Sequence, residues 1–150
     1  MAHYRKIEVK IWYDEKFLSL SNDGKLAFLY LLTHPLMTSL GAMRGTISGL
    51  SAELKVFPEA FQEAFDKGLF KVDEKANFIV LTNFLKYNKP ENPNVVIAWG
   101  KGFDMLPECE LKSVLYKRVK DSVKDYGEAF AKAFARAFGK EYIETVSSEQ

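Results

Sequence analysis

Apolar and charged residues alternate with period two along Lys6 to Tyr13 (Lys-Ile-Glu-Val-Lys-Ile-Trp-Tyr), placing Ile7, Val9 and Ile11 on one face. Such alternation predicts a strand or an extended arm packed by one side. Asp14 to Leu18 predicts a short helical turn. Ser21-Asn22-Asp23 then offers N-cap oxygens ahead of Leu26, Phe28, Leu29, Tyr30, Leu31 and Leu32, a helix apolar almost all round and so a central, buried one. Pro35 ends it, because proline pushes the residue before it out of helical geometry.

Further on, Gly41 to Gly45 predicts a short strand, and Thr46 caps a helix running to about Leu54. Phe57-Pro58 separates this from a second helix, with Pro58 in the first turn, where its missing N–H costs nothing. Gly68 is suited to close that helix in the left-handed conformation. Leu69 to Val72 and Phe78 to Thr82 are two β runs around the polar stretch Asp73 to Asn77, the pattern of a hairpin. Helix, short strand, helix, turn, helix, hairpin is the outline of a winged helix-turn-helix. From Lys86 to Asn94 the chain turns polar and proline-bearing, which reads as a linker. The apolar run Val95 to Trp99 follows, then a helix from Pro107 to about Lys124, broken at Tyr126-Gly127. The predicted fold is α+β, mainly α: a winged helix-turn-helix over residues 1–89 and a linker with a C-terminal helical extension over 90–150.

Composition narrows the function classes. Apolar residues make up 47% of the 150 and charged residues 27%, which excludes wholesale disorder. Lys+Arg 21 against Asp+Glu 20 gives a net charge of +1, excluding a polybasic carpet or an acidic tail but leaving room for a local patch. One cysteine, Cys109, and two histidines, His3 and His34, make neither an internal disulfide nor a Cys/His zinc site. No apolar stretch has the length of a membrane span or the character of a signal peptide. The expectation is a cytoplasmic protein without metal, cofactor or membrane contact.

No catalytic constellation stands out. Neither histidine has a nucleophile to serve, and Gly100-Lys101-Gly102 lacks the rest of a phosphate-binding fingerprint. Cys109 sits between Glu108 and Glu110, whose charges blunt a thiolate. The chain reads as a non-enzyme.

Nucleic-acid binding turns on the helix from Pro58 to Lys67. Ala60, Phe61, Ala64 and Phe65 group on its inner face, leaving Glu59, Gln62, Glu63 and Asp66 outside. Carboxylates can accept from cytosine N4, but three of them near phosphates are electrostatically expensive. Positive charge lies elsewhere: Arg5, Lys6 and Lys10 on the arm, Lys71 and Lys75 at the hairpin, Lys86 and Lys89 after it. The candidate duplex contacts are therefore Thr46, Ser48, Ser51 and Lys55 on the first helix of the pair, Gln62 and Lys67 on the second, and Lys71, Lys75 and Lys86. A second basic stretch holds Lys112, Lys117, Arg118, Lys120 and Lys124 against Asp121 and Asp125. The alternative keeps the same fold as a protein-interaction or oligomerisation module, its acidic face meeting a basic partner.

The one internal repeat is Ala-Phe-Ala-Lys, Ala-Phe-Ala-Arg, Ala-Phe-Gly-Lys. Phe130, Phe134, Phe138 and Tyr142 are spaced by four and advance about 40° per step, forming one aromatic ridge. The ridge is a candidate for packing on the chain's own body, for homodimerisation through the C-terminal helix, or for lying on a membrane.

Three passages together carry a resemblance. They are Ile11-Trp12-Tyr13-Asp14-Glu15-Lys16-Phe17 with Leu20-Ser21, the Leu26–Leu32 helix, and Asn83-Phe84-Leu85-Lys86-Tyr87-Asn88-Lys89-Pro90-Glu91-Asn92-Pro93-Asn94-Val95. Over about residues 5 to 99 the chain resembles the winged-helix proteins of phage and prophage replication modules and is similar to replisome-organiser N-terminal domains. The resemblance implies a bacterial or phage origin, a winged-helix fold, and double-stranded DNA or replication proteins as partners.

Overall fold

The computed structural model describes residues 4–139. The chain is mainly helical with one small antiparallel sheet, and it divides into two compact units, residues 1–83 and 84–150.

The first unit opens on a correction. Lys6 to Tyr13 is not a strand: after an extended entry, Val9–Tyr13 winds into a 3-10 helix and α1 (Glu15–Leu18) follows. Period-two alternation stabilises a strand only where a neighbouring strand takes up its backbone groups. This stretch pairs with no strand, and Ile7 and Val9 stay exposed. Asp14 joins the two turns, its side chain accepting from the Phe17 N–H at 3.0 Å. Phe17 is buried and meets Phe28 of the next helix.

That helix, α2 (Asn22–Thr33), is capped by Ser21, whose Oγ accepts from the Gly24 N–H. It buries one stripe, Gly24, Ala27, Phe28 and Leu31, and leaves Leu26 half-exposed. It is thus an amphipathic wall of the core, not the all-round buried helix its composition predicts. The chain leaves α2 at His34, in extended conformation before Pro35.

β1 (Ala42–Arg44), α3 (Ile47–Leu54), α4 (Pro58–Asp66), β2 (Phe70–Asp73) and β3 (Phe78–Leu81) follow in the predicted order. Thr46 caps α3 through Oγ1 on the Gly49 N–H, and Lys55 closes it with φ of 62°. Pro58 begins α4, and Gly68, at φ 76°, turns the chain out of it. The sheet order is β1-β3-β2, both pairings antiparallel, with Met43 opposite Ile79 and Val72 opposite Ile79 on the other side. Central β3 is buried along its whole length. α4 packs chiefly on α2, with α3 and β2 also against it. Phe61 and Ala64 fill the seam and are fully buried.

The second unit is all-helical: α5 (Phe84–Tyr87), α6 (Pro93–Asp104), α7 (Glu110–Val123) and α8 (Glu128–Phe138). The stretch read as a linker is structured at both ends. Its first residues form α5, and Asn92-Pro93 start α6, with Asn92 Oδ1 accepting from the Val95 N–H at 3.2 Å. The cap carries α6 through Val95–Trp99 and on through Gly100 and Gly102. Gly100 is there for contact: a Cβ at that position would lie 2.7 Å from both the Cβ and the carbonyl oxygen of Ala137. α8 therefore packs close on α6. Val96, Trp99, Phe103, Leu115, Tyr116, Val119, Phe134 and Phe138 make the core.

Candidate nucleic-acid interface

In the first unit the polar residues nominated as contacts separate by what the fold asks of them. Thr46 is committed to capping α3, and its Oγ1 lies 3.4 Å from the exposed Ser48 Oγ. Ser51 is buried and donates its hydroxyl to the Ile47 carbonyl at 2.6 Å. It cannot reach a ligand, which removes it from the candidate contacts. Lys55 is exposed at the end of α3, and Phe57, further along the turn, is 79% exposed.

On α4 the sequence places four polar residues outward, and the structure keeps three. Glu59, Gln62 and Asp66 face solvent, Gln62 Nε2 donating to Asp66 Oδ1 at 2.8 Å. Glu63 instead turns to the start of α2. Its carboxylate accepts from the Ser21 N–H at 2.8 Å and from the Ser21 hydroxyl. Those two hydrogen bonds, the hydroxyl's first, hold the Glu63 carboxyl below its usual pKa, because both favour the ionised form. Phe65, placed inside by the wheel, is only half-covered, with Phe70 against it T-shaped at 5.7 Å. Lys67, just past α4, is exposed.

The hairpin connection is tight: Asp73 Oδ1 accepts from the Ala76 N–H, and Asn77 takes a positive φ of 52°. Lys71 on β2 and Lys75 in the turn are exposed, with Glu74 exposed between them. On the arm, Arg5 is tied down, its Nη2 donating to the Met37 carbonyl at 2.6 Å. Partial burial of its guanidinium lowers the pKa from the usual arginine value.

A polar cluster behind α3 has no counterpart among the residues the sequence nominates. His34 is buried; its Nδ1 accepts from the Leu36 N–H, which leaves Nε2 to donate to Glu53 Oε1, each at 3.0 Å. Tyr30 donates its hydroxyl to the same oxygen at 2.8 Å and sets its ring T-shaped to the imidazole. The hydrogen bonds from His34 and then Tyr30 lower the Glu53 pKa. Desolvation, followed by the Glu53 carboxylate, raises that of Tyr30. With Nδ1 occupied and Nε2 on a carboxylate, the arrangement fastens α3 to α2 and leaves no nitrogen free to act as a base. The signal that could have found it is the histidine immediately before Pro35 together with the only carboxylate of α3.

The second unit corrects one expectation and, for the aromatic ridge, favours one of the three readings the sequence leaves open. Lys112, counted in a basic patch, is buried; its Nζ donates to the Leu106 carbonyl and to Glu108, and lies over the Phe103 ring. Arg118 is half-buried, and desolvation lowers its pKa, leaving Lys117, Lys120 and Lys124 as exposed charges. The two central rings of the aromatic ridge are core. Phe134 and Phe138 are buried against Tyr116 and Phe103, at centroid separations of 5.5 Å and 5.1 Å. Phe130 is partly covered beside Tyr126, and Tyr142 lies outside the described residues. The two central rings are thus spent within the unit and are not open to a second copy. Lys86 is exposed on α5, its ammonium 5.6 Å from the Tyr87 ring centroid.

Among the described residues no group of three or more His, Cys, Asp or Glu side chains could hold a metal ion. None of the described helices is long and apolar enough to cross a membrane. No protein family, curated protein or solved structure matches the chain.

Proposed function

We propose that the first unit is a winged helix-turn-helix and that the protein is a non-enzymatic, DNA-associated module of phage or prophage replication type. It engages duplex DNA mainly through phosphates. The observation that carries this reading is the element order α2-β1-α3-α4-β2-β3 with the sheet order β1-β3-β2, ending in a hairpin that exposes Lys71 and Lys75. Lys55 and Lys67, at the ends of the helix pair, add two exposed cations, with Ser48 and Gln62 as neutral donors. The diversion of Glu63 onto Ser21 favours the reading too, because it takes one carboxylate off the outward face of α4.

A second reading, a winged-helix protein-docking module, draws on the same helix. Glu59 and Asp66 remain outside, and Phe57 and Phe65 add exposed aromatic surface. Such a surface suits a basic protein segment better than a phosphate backbone.

Fluorescence anisotropy of a labelled random duplex, titrated at low and then physiological salt, tests the first reading. Each phosphate neutralised contributes about 0.9 to the slope of log affinity against log salt, so four lysines give a slope of about −4. Absence of binding at low salt sinks the duplex reading and leaves the acidic face of α4 as the docking surface.

A further inference from the structure

We propose that residues 8–16 form a homodimer interface, whose occupant is the same segment of a second copy of this chain. The proposal does not rest on the duplex reading, and its test contains no DNA.

The segment, made of the 3-10 turn and the start of α1, exposes apolar surface that the fold leaves uncovered. Val9 is 75%, Trp12 55% and Tyr13 83% exposed. Apolar surface concentrated in so short a stretch is the mark of an association site. The surface is also held in one shape. Ile11 N–H donates to the Glu8 carbonyl and Asp14 N–H to the Ile11 carbonyl. Trp12 meets the buried Phe17 T-shaped at 5.3 Å. A surface ordered beforehand loses little freedom on docking.

Charge selects the occupant. Around the ring the order is Glu8, Lys10, Trp12, Asp14, Lys16, so each charge on one side of Trp12 is answered at equal spacing by its opposite on the other. Two copies laid antiparallel about a two-fold axis at Trp12 set Glu8 against the second copy's Lys16 and Lys10 against its Asp14. Each contact then occurs twice, as in any isologous interface. The four groups are available for it. None of them makes an ion pair within the described residues, and Asp14 uses only Oδ1, on the Phe17 N–H. Between Lys6 and Lys16 three lysines stand with three carboxylates, because Glu15 balances Lys6. That balance repels a phosphate backbone as much as it attracts one, whereas self-pairing requires it and takes its register from it.

Sedimentation velocity of the full chain, free of nucleic acid and run from about 1 to 100 µM, should show a monomer–dimer equilibrium. Trp12 reports the contact, because Trp99 is only 2% exposed; acrylamide quenching of tryptophan emission should fall as the dimer forms. Trp12→Ala should weaken the dimer about 30-fold or more. Charge reversal reads the register at two exposed positions that the fold does not use. Glu8→Lys and Lys16→Glu should each weaken the dimer at least about tenfold, since each sets like charges together twice. The double reversal brings opposite charges back and should return the affinity to within about threefold of the wild type. A monomer at every concentration overturns the proposal. So does a dimer unchanged in both single reversals, or a double reversal as weak as the single ones.

Discussion

Glu63, on α4, closes the N-terminus of α2 from 42 residues away: its carboxylate accepts hydrogen bonds from both the N–H and the hydroxyl of Ser21. The same hydroxyl oxygen accepts from the Gly24 N–H, so one carboxylate orients the residue that caps the helix. The negative charge also sits where the helix dipole favours it.

Loss of that carboxylate should therefore cost more than an ordinary surface change. Glu63→Ala is expected to destabilise the first unit by about 1–2 kcal/mol, measured by urea denaturation at neutral pH. The Glu63 pKa is lowered in the folded state, so its contribution is complete above the unfolded-state pKa and is lost as pH falls through the folded one. The stability gap between wild type and Glu63→Gln should accordingly narrow on acidification.

Gly24 and Glu63 should behave as a coupled pair. A Cβ on Gly24 would lie 2.9 Å from Glu63 Oε1, so Gly24→Ala must displace the carboxylate. In the wild-type background the substitution should destabilise. On Glu63→Ala it should become neutral or stabilising by up to about 1 kcal/mol, the helix-propensity gain of alanine over glycine. A double-mutant cycle reads the difference; strict additivity would show that the carboxylate moves freely.

In the second unit, Gly100→Ala should push α6 and α8 apart, because the added methyl meets Ala137 backbone as well as its side chain. Overpacking of this kind costs about 1–3 kcal/mol. A lowered thermal midpoint is the expected result, and an unchanged one would contradict the close helix approach.

Phe134→Ala should cost about 3–5 kcal/mol in unfolding, as for a buried aromatic. The oligomeric state of the folded fraction, measured by light scattering, should not change. A dimer that dissociates with stability intact would return the ridge to an interface role.

For the duplex reading, replacing Lys71 and Lys75 together by alanine should weaken binding to all sequences alike. The salt slope should become shallower by about 2, because two phosphates are no longer neutralised. Unchanged affinity would remove the hairpin from the interface.

Where structure is set by near neighbours, the sequence is a good guide. Thr46 before α3, Pro58 at the start of α4, Gly68 after it and the polar run between β2 and β3 all act within a few residues, and each element lies where those signals put it. Sequence and structure part where the deciding partner is distant. Lys6–Tyr13 has a strand's alternation but no neighbouring strand, and Glu63 looks outward until Ser21 is brought to it. Lys112 has nothing in its local sequence to announce burial; the Leu106 carbonyl and the Phe103 ring decide it. In the candidate interface the exposed lysines of the first unit were legible as charges. The burial of Ser51 was not, because it follows from how α3 faces the core.

One outer strand of the sheet, β2, carries Lys71 on an edge that pairs on one side only. Another chain zipping onto that edge would have to accommodate an ammonium midway along a four-residue strand. On that ground Lys71→Ala should raise the tendency of the protein to self-associate at high concentration.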